Sequence, residues 1–418
     1  MIETKFKQTE IGLIPEEWEV FSVGKDCIVK ARIGWQGLTT FEYLETGEYA
    51  LITSTDIIDG SIDWRTCHFV SKFRYEQDVK IQVQENDILI SKDGTIGKVG
   101  IVRNQPFPAT LNSGVFVIRA KDNQNQKGFS LAFVSEYFRE FINRLTAGST
   151  IVHLYQKDIV HFKFPLPIDI QEQQRIATAL SDTDALISAL NKKIEKKKLI
   201  KQGAMQQLLT GQKRLHGFSE PWVEKRLGET CSIYRGGSPR PIESYITNDV
   251  NGINWIKIGD VEHGSKYIIK TAEKIKLEGE SKSRKVYAGD FILSNSMSFG
   301  RPFILKIDGC IHDGWLVIQN YQEYFDLDYL YYLLGSEYVF EQYRKMAAGS
   351  SVQNLNKDKV SNVLVRMSLS KTEQTAIAEI LSDMDKEIAE LESKRTKYER
   401  IKQGMMQQLL TGKIRLTD

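Results

Sequence analysis

Long apolar runs are missing from this 418-residue chain. None approaches the roughly 18 residues that a membrane-spanning helix needs, so insertion in a bilayer is not expected. The opening stretch MIETKFKQTEIGLIPEEW carries acids and lacks an apolar core followed by a small-residue cleavage site, which is unlike a secretory signal and points to a cytoplasmic protein. Cysteine is scarce: Cys27, Cys67, Cys231 and Cys310 are far apart and form no CxxC pair, which excludes a disulfide scaffold and reads as four reduced core residues. The six histidines (His68, His153, His161, His216, His263, His312) show no metal-ligand spacing. An excess of one charge is also absent, because 56 Lys and Arg face 54 Asp and Glu for a net charge of +2. Any contact with nucleic acid must therefore come from local patches, which a near-neutral total does not forbid.

Catalytic signatures are missing too. DGTIGK (Asp93 to Lys98) has two residues between its first glycine and Gly97-Lys98, not the four of a phosphate loop, and no Ser or Thr follows the lysine. No Asn-Pro-Pro-aromatic or Asp-Pro-Pro-aromatic string of base methylation occurs. Asp260 with Glu280 and Lys282 loosely imitates the acidic cluster of a metal-dependent nuclease, but acid-x-base triples arise freely in a chain with 26% charged residues, and the first half has no counterpart. A metal-dependent nuclease stays as one alternative and a scaffold that reads nothing as another.

What is present is a duplication. Residues 172 to 215 and 373 to 416 align without a gap and share about 25 of about 44 positions. Fainter echoes lie upstream: Trp18 with Trp222, Cys27 with Cys231, Asp56 with Asp260, NDILIS (86 to 91) with GDFILS (289 to 294), and Ala147-Gly148-Ser149 with Ala348-Gly349-Ser350. The chain is two copies of a unit of roughly 200 residues, too long for a solenoid repeat.

Each copy has a variable front (about 15 to 165 and 217 to 368) and a back that hardly varies between the two. The fronts hold short β-rich runs such as DILIS, KVGIV, GVFVI, FILS and WLVI, broken by Gly, Asn and Asp, together with aromatic helical stretches. The backs are helical. Ile176, Leu180, Thr183, Ile187, Leu190 and Ile194 in the first, and Ile377, Leu381, Met384, Ile388 and Leu391 in the second, alternate in steps of four and three, a heptad stripe. About 36 residues give each helix about 54 Å. So narrow a stripe needs a partner, and the near-identical second helix supplies one; a helix that merely covers its own front is the alternative. Gly211 and Gly412 are placed to end the helices in the left-handed conformation. Gly203 and Gly404 inside them suggest a close neighbour or a break. The expected fold is α+β: a first domain at 1–165, a central helix at 166–216, a second domain at 217–368 and a C-terminal helix at 369–418, with the two helices forming an antiparallel coiled coil and the whole an internal pseudo-two-fold repeat.

The remaining signal suits binding. Gly-rich segments carry Lys30, Arg32, Trp35 and Gln36 after Cys27, and Arg235, Ser238 and Arg240 at the equivalent place after Cys231. Arginine can pair with guanine and glutamine with adenine, while glycine turns expose amides to phosphate. Lys92, Thr95 and Lys98 sit in the DGTIGK turn, either solvated or on a DNA backbone; Ser294, Asn295 and Arg301 occupy LSNSMSFGR in the second half, whose different string does not carry the lysine loop across. Ser149, Thr150 and Gln156, and Ser350, Ser351, Gln353 and Asn356, precede the helices and either face a groove or cap local turns. The run KKIEKKKLIK (192 to 201) is a solvated or partner-facing helix side.

IGLIPEEW, RIGWQGL, NDILISKDGTIGKVGIV, AGSTIVHL, EQQRIA and the twice-used IKQG-MQQLLTG-RL ending together resemble the specificity subunits of type I restriction-modification systems, over nearly the whole chain. The resemblance implies two target-recognition domains, each reading half of a split double-stranded DNA target, and helices that separate them and dock two methyltransferase subunits. It implies a subunit that performs no chemistry: S-adenosylmethionine, ATP and Mg²⁺ would belong to the methyltransferase and restriction subunits, with no cofactor, metal or membrane contact in this chain.

Overall fold

A computed structural model of the chain describes residues 4–122, 125–147, 153–262, 264–295, 300–347 and 355–417. It divides into two compact units, unit 1 from residues 1–190 with 394–418 and unit 2 from residues 191–393. Each long helix is thus shared: one part of it belongs to each unit.

The units repeat one topology. In unit 1 a six-stranded sheet runs Cys27–Ala31, Val115–Ala120, Ile88–Ser91, Val99–Ile101, Ser61–Ile62, Ile57–Ile58. A four-stranded sheet runs His68–Val70, Tyr49–Ile52, Ala109–Leu111, Gln82–Val83. Unit 2 answers the first with Ser232–Arg235, Trp315–Gln319, Phe291–Ser294, Pro302–Leu305, Tyr267–Ile268. It answers the second with Glu273–Ile275, Ile253–Ile256, Gly309–Ile311, Arg284–Val286, and adds Ile246–Thr247 at one edge. The parallel pairings recur as well, with Ala109–Leu111 beside Tyr49–Ile52 and Gly309–Ile311 beside Ile253–Ile256.

The strands Ile88–Ser91 and Phe291–Ser294 are buried at every position, which is why they read as unbroken apolar runs and not as alternating ones. The turn before each is fixed by an aspartate. Asp87 accepts from the amide of Gln84 at 2.8 Å and Asp290 from that of Tyr287 at 2.9 Å. Arg119 clamps Asp87 at 2.6 and 2.7 Å, whereas Asp290 receives the Gln319 amide at 2.5 Å, and burial holds its carboxyl above the usual carboxylate range. A helical pair packs on each first sheet: Gln126–Val134 with Glu136–Thr146, and Leu327–Leu334 with Glu337–Ala347. Their cores are aromatic, led by Phe129, Phe133, Phe138 and Phe162 in unit 1 and by Tyr329, Tyr332 and Tyr343 in unit 2.

The central helix is Ile170–Leu209 and the terminal helix Lys371–Leu409, both uninterrupted. They pair antiparallel within each unit. In unit 2 Lys197 binds Glu387 at 2.7 Å, Lys198 binds Glu392 at 2.9 Å and Lys201 binds Asp385 at 2.5 Å; in unit 1 Lys402 binds Asp184 at 2.6 Å. Lysines of the basic run thus face the partner helix. Along the stripe Ile176, Leu180, Leu190, Ile194, Ile377, Leu381 and Ile388 are buried, and Ile187, Met384 and Leu391 are half-buried. The alternative also holds in part, because the fronts use the same stripe: Leu208, Leu209, Ile377 and Leu381 join the core of the unit 2 front, and Ile176, Leu180, Leu409 and Leu410 pack with Ile14, Trp18 and Leu131 in unit 1.

Gly211 and Gly412 adopt φ of +70° and +69°, and the amides of Lys213 and Ile414 reach back to the carbonyls of Gln207 and Gln408 at 3.1 and 3.2 Å, closing both helices as expected. The expectation for Gly203 and Gly404 is corrected. The helices run through both without a break, and a Cβ at either would meet nothing within 4 Å. Beyond each C-terminus an arginine returns to the start of the other helix. Arg415 grips Glu172 at 2.6 Å on both oxygens and Arg214 grips Glu373 at 2.6 and 2.9 Å, and both carboxylates have no exposed surface.

Because Leu409 completes the core of unit 1 from the far end of the sequence, Leu409→Ala is expected to cost about 2–5 kcal/mol. Hydrogen exchange should quicken at residues 12–20 and leave 223–235 unchanged; acceleration confined to the terminal helix would contradict this packing.

Candidate nucleic-acid interface

The first loop is built on a buried serine. Ser91 ends its strand with its hydroxyl donating to the carbonyl of Thr95 at 2.5 Å and accepting from the amide of Lys98 at 2.9 Å. The amide of Gly97 donates to the Ser91 carbonyl at 3.0 Å, that of Lys92 to Gly114 at 2.9 Å, and that of Leu154 to Lys92 at 3.1 Å. Gly94 and Gly97 take φ of +70° and +77°, and a Cβ on Gly97 would lie 3.0 Å from Ile142. A tightly tied turn results, with Thr95 exposed and Lys92 and Lys98 half-buried. Lys92 sits 5.5 Å from the centroid of the Phe116 ring, and His153 meets Asp93 at 2.6 Å.

Unit 2 builds the same frame from a different string. The amide of Asn295 donates to Gly314 at 3.0 Å, that of Leu355 to Asn295 at 2.9 Å, that of Gly300 to Ser294 at 2.8 Å and that of Ser294 to Arg301 at 3.4 Å. Asn295 therefore stands where Lys92 does, and exposed Arg301 where Lys98 does, but Ser294 and Asn295 are each only 3% exposed and the Asn295 side chain turns to the Asp313 carbonyl, so the expectation that these two face DNA is corrected. Gly300, at φ +80°, abuts Tyr343 as Gly97 abuts Ile142. The different string predicts that the lysine loop does not carry across, yet the backbone at Ser294, Asn295, Gly300 and Arg301 repeats its hydrogen bonds; residues 296–299 between lie outside the described residues.

The other loop pair diverges more. By sheet register Ala31 matches Arg235, so Arg32 matches Gly236. Arg32 is 2% exposed and points inward, its guanidinium donating to the Leu111 carbonyl at 2.8 Å and to the Thr110 hydroxyl at 3.1 Å. Burial pushes its pKa below the usual guanidinium value. It holds strands together and offers nothing to a groove. Gln36 is buried likewise, its side-chain carbonyl oxygen accepting no hydrogen bond among the described residues. Lys30 is half-buried, and the side chain of Trp35 lies outside what is described.

In unit 2 the corresponding loop converges on Asp313. Ser238 donates to it at 2.8 Å, Arg240 approaches at 3.4 Å and His312 at 2.8 Å, while its own carbonyl accepts the Asn295 side-chain amide at 2.8 Å. Burial works to raise the Asp313 carboxyl, yet the Ser238 hydroxyl, His312 and Arg240 together hold it below the usual carboxylate range. Arg235 is exposed, and beside it Arg284 lies 4.9 Å from the Tyr234 ring. So Ser238, Arg240 and Asn295 are brought together, as are Lys92, Lys98 and Thr95 in unit 1. Asp313, Tyr234, Arg284 and the Asp93–His153 pair are additions that nothing local in the sequence marked.

Gln156 is exposed and reaches the Val29 carbonyl at 3.4 Å, whereas Asn356 caps the helix Lys357–Ser361 through the amide of Lys359 at 2.8 Å. Ser149, Thr150, Ser350, Ser351 and Gln353 lie outside the described residues. The nuclease-like residues are committed elsewhere: Asp260 accepts the amides of Lys257 and Ala272 at 2.7 and 2.9 Å, Glu280 pairs with Lys285 at 2.7 Å, and Lys282 with the Tyr245 hydroxyl. Among the described residues no group of three His, Cys, Asp or Glu could hold a metal ion, and no helix is long and apolar enough to cross a membrane.

The model of the type I restriction modification DNA specificity domain matches residues 15–199 and again 219–403. The chain belongs to this family. Two relatives from Methanocaldococcus jannaschii, the MjaX and MjaVIII type I restriction enzyme specificity subunits, are each 28% identical to it, with 99% of this chain and 97% of theirs covered. The fold is also that of a solved chain from work on complex assembly and conformational transition of a type I restriction-modification system, at TM-score 0.60, 16% identity, 96% of this chain and 99% of that one. A specificity subunit from M. genitalium gives 0.57 at 15% identity, covering 98% and 99%. Such subunits recognise DNA and are not catalytic, and the specificity-domain family accounts for two matches by two copies of one domain with its helix.

Arg32 and Arg240 separate framework from surface. Arg32→Ala removes hydrogen bonds from a buried cation and should cost roughly 1.5–3 kcal/mol in a urea melt, whereas Arg240→Ala should stay within about 0.5 kcal/mol. A stable Arg32→Ala chain with weakened DNA binding would return Arg32 to the interface.

Proposed function

We propose that unit 1 and unit 2 each read one half of a split double-stranded DNA target, and that the chain delivers methyltransferase subunits, and through them restriction subunits, to that target. The observation that carries this is the pair of loops at 91–98 and 294–301: one hydrogen-bonded frame, two sets of side chains. A structural turn would keep its side chains as its frame demands. A reading turn keeps the frame and changes what it presents. The frame leaves Thr95 and Arg301 exposed and Lys92 and Lys98 half-buried, with exposed Arg235 on the neighbouring loop, and these basic groups, which phosphate and guanine favour, differ between the halves, as unlike half-sites require.

In this reading the chain supplies no chemistry. Adenine methylation with S-adenosylmethionine, and ATP- and Mg²⁺-dependent restriction, belong to its partners, and the localisation is cytoplasmic. A base-contacting arginine among these should cost roughly 1–3 kcal/mol and relax one position when replaced, whereas a phosphate contact should weaken all sequences alike. Exchanging residues 15–165 for the front of a relative, and mapping methylated adenines in the host, is expected to change one half of the methylated motif and keep the other. Change in both halves would mean a single composite reading surface.

A further inference from the structure

Each reading turn hangs on a glycine. Gly114 accepts the Lys92 amide at 2.9 Å and Gly314 the Asn295 amide at 3.0 Å, so each glycine places the residue that opens its turn. Each glycine is itself held, through its own amide, by a side chain two residues back. In unit 1 the acceptor is the side-chain oxygen of Asn112 at 2.7 Å, and in unit 2 it is Nδ1 of His312 at 2.9 Å. Asn112 and His312 are the first residues beyond the matching strands Ala109–Leu111 and Gly309–Ile311, so the two acceptors occupy one place in the frame. A carboxamide oxygen keeps its lone pairs at any ordinary pH, whereas an imidazole nitrogen gives its lone pair to a proton in mild acid.

The Gly314 bond fixes the state of the His312 ring. A backbone amide can only donate, so Nδ1 is the bare nitrogen and the ring proton is on Nε2, 2.8 Å from the Asp313 carboxylate. The neutral ring therefore accepts on one side and donates on the other. Protonation sets a second N–H against the Gly314 amide. An imidazolium has no acceptor, so Gly314 loses its partner whether the ring stays or turns over. The new charge also bears on Asp313, which receives the Ser238 hydroxyl at 2.8 Å and Arg240 at 3.4 Å, because a second cation there competes with Arg240 for one carboxylate. Water can reach the ring, since 39% of the side chain is exposed.

The charges around His312 set the direction. Asp313 and Arg240 act on it directly, the first drawing the proton in and the second opposing it. The cations of the neighbouring elements are committed: Lys257 to Glu273 at 2.5 Å, Lys282 to the Tyr245 hydroxyl, Arg284 to the Tyr234 ring, and Arg301 to the Phe303 ring at 5.7 Å. The packed ring is Trp255, 6.0 Å away and uncharged. The frame bond exists in the neutral form and is lost as the pH falls. Unit 1 behaves differently although it too has a histidine beside its turn. His153 meets Asp93 through Nδ1 at 2.6 Å, and among the described residues it bonds no amide of the frame, so protonation tightens that pair and leaves Asn112 on Gly114.

We propose that His312 is the positioning residue of the unit 2 reading loops and that its protonation releases them, so that in mild acid the half-site of unit 2 is read less strictly while that of unit 1 is read as before. This rests on the reading that each unit has its own half-site.

The test is hydrogen-exchange mass spectrometry of the full chain at about pH 8 and about pH 6, across the range where histidine changes charge, with rates corrected for the intrinsic effect of pH. At the lower pH residues 312–317 should exchange about 3- to 10-fold faster, the worth of one hydrogen bond, and residues 112–117 should not change. His312→Asn, which installs the unit 1 acceptor, should abolish the difference. His312→Ala should show the fast rate at both pH values. The same chains are then titrated with the target duplex and with duplexes scrambled in one half. Discrimination against the scrambled unit 2 half should fall at the lower pH for the unaltered chain and hold for His312→Asn, with the unit 1 half discriminated equally throughout. Equal acceleration in both segments, a pH response that survives His312→Asn, or unit 2 discrimination that does not fall would overturn the role of His312 and leave the half-site reading intact. No discrimination by the unaltered chain at the higher pH would overturn both.

Discussion

Two carboxylates without exposed surface govern how this chain closes. Glu172 opens the central helix and Glu373 the terminal one, and burying either unpaired would cost several kcal/mol. Neither finds its cation nearby in sequence. Glu172 is gripped by Arg415, 243 residues away, with Glu17 on the same guanidinium, and this pairing raises the pKa of Arg415 further. Glu373 is gripped by Arg214, and the Trp222 indole donates to it at 3.2 Å. The same interaction thus appears twice, each time joining the end of one helix to the start of the other. Unit 1 cannot close until the last residues of the chain arrive, which explains why the helix ends are the least varied part of the repeat.

With closure fixed in this way, variation is channelled to the fronts, and within them to side chains. The Ser91 and Ser294 turns keep their four backbone hydrogen bonds and their left-handed glycines, since a change there would break the strand ends or collide with Ile142 or Tyr343. What those turns display is under no such constraint. Half-buried Lys98 becomes exposed Arg301, while Lys92 becomes a buried Asn295; in the other loop pair a buried Arg32 becomes Gly236, against which any Cβ would meet the His312 carbonyl at 2.1 Å.

Much of this was legible in the sequence because it rests on short-range pattern. The heptad stripe, the terminal glycines and the unbroken apolar strands follow from local spacing, and the structure has all of them. Long-range facts were hidden. Nothing near Arg32 announces that it turns inward toward Leu111, and nothing near Arg214 announces a carboxylate on another helix. The turn at 294–301 looked unlike its partner because a sequence displays side chains and conceals the backbone bonds that they share. Asp313 looked ordinary because its partners come from three separate segments. Gly203 and Gly404 suggest a close neighbour or a break, yet the helices run through them and they open on free space.

The account stands on each unit reading its own half-site, and hydrogen-exchange mass spectrometry of the full chain on duplex DNA tests that most directly. With a duplex carrying the whole target, residues 92–98 and 235–240 should both exchange more slowly. Scrambling one half of the target should release one of these segments and leave the other protected, and scrambling the other half should reverse the pattern. Protection that is gained and lost in both segments together, whichever half is scrambled, would contradict it.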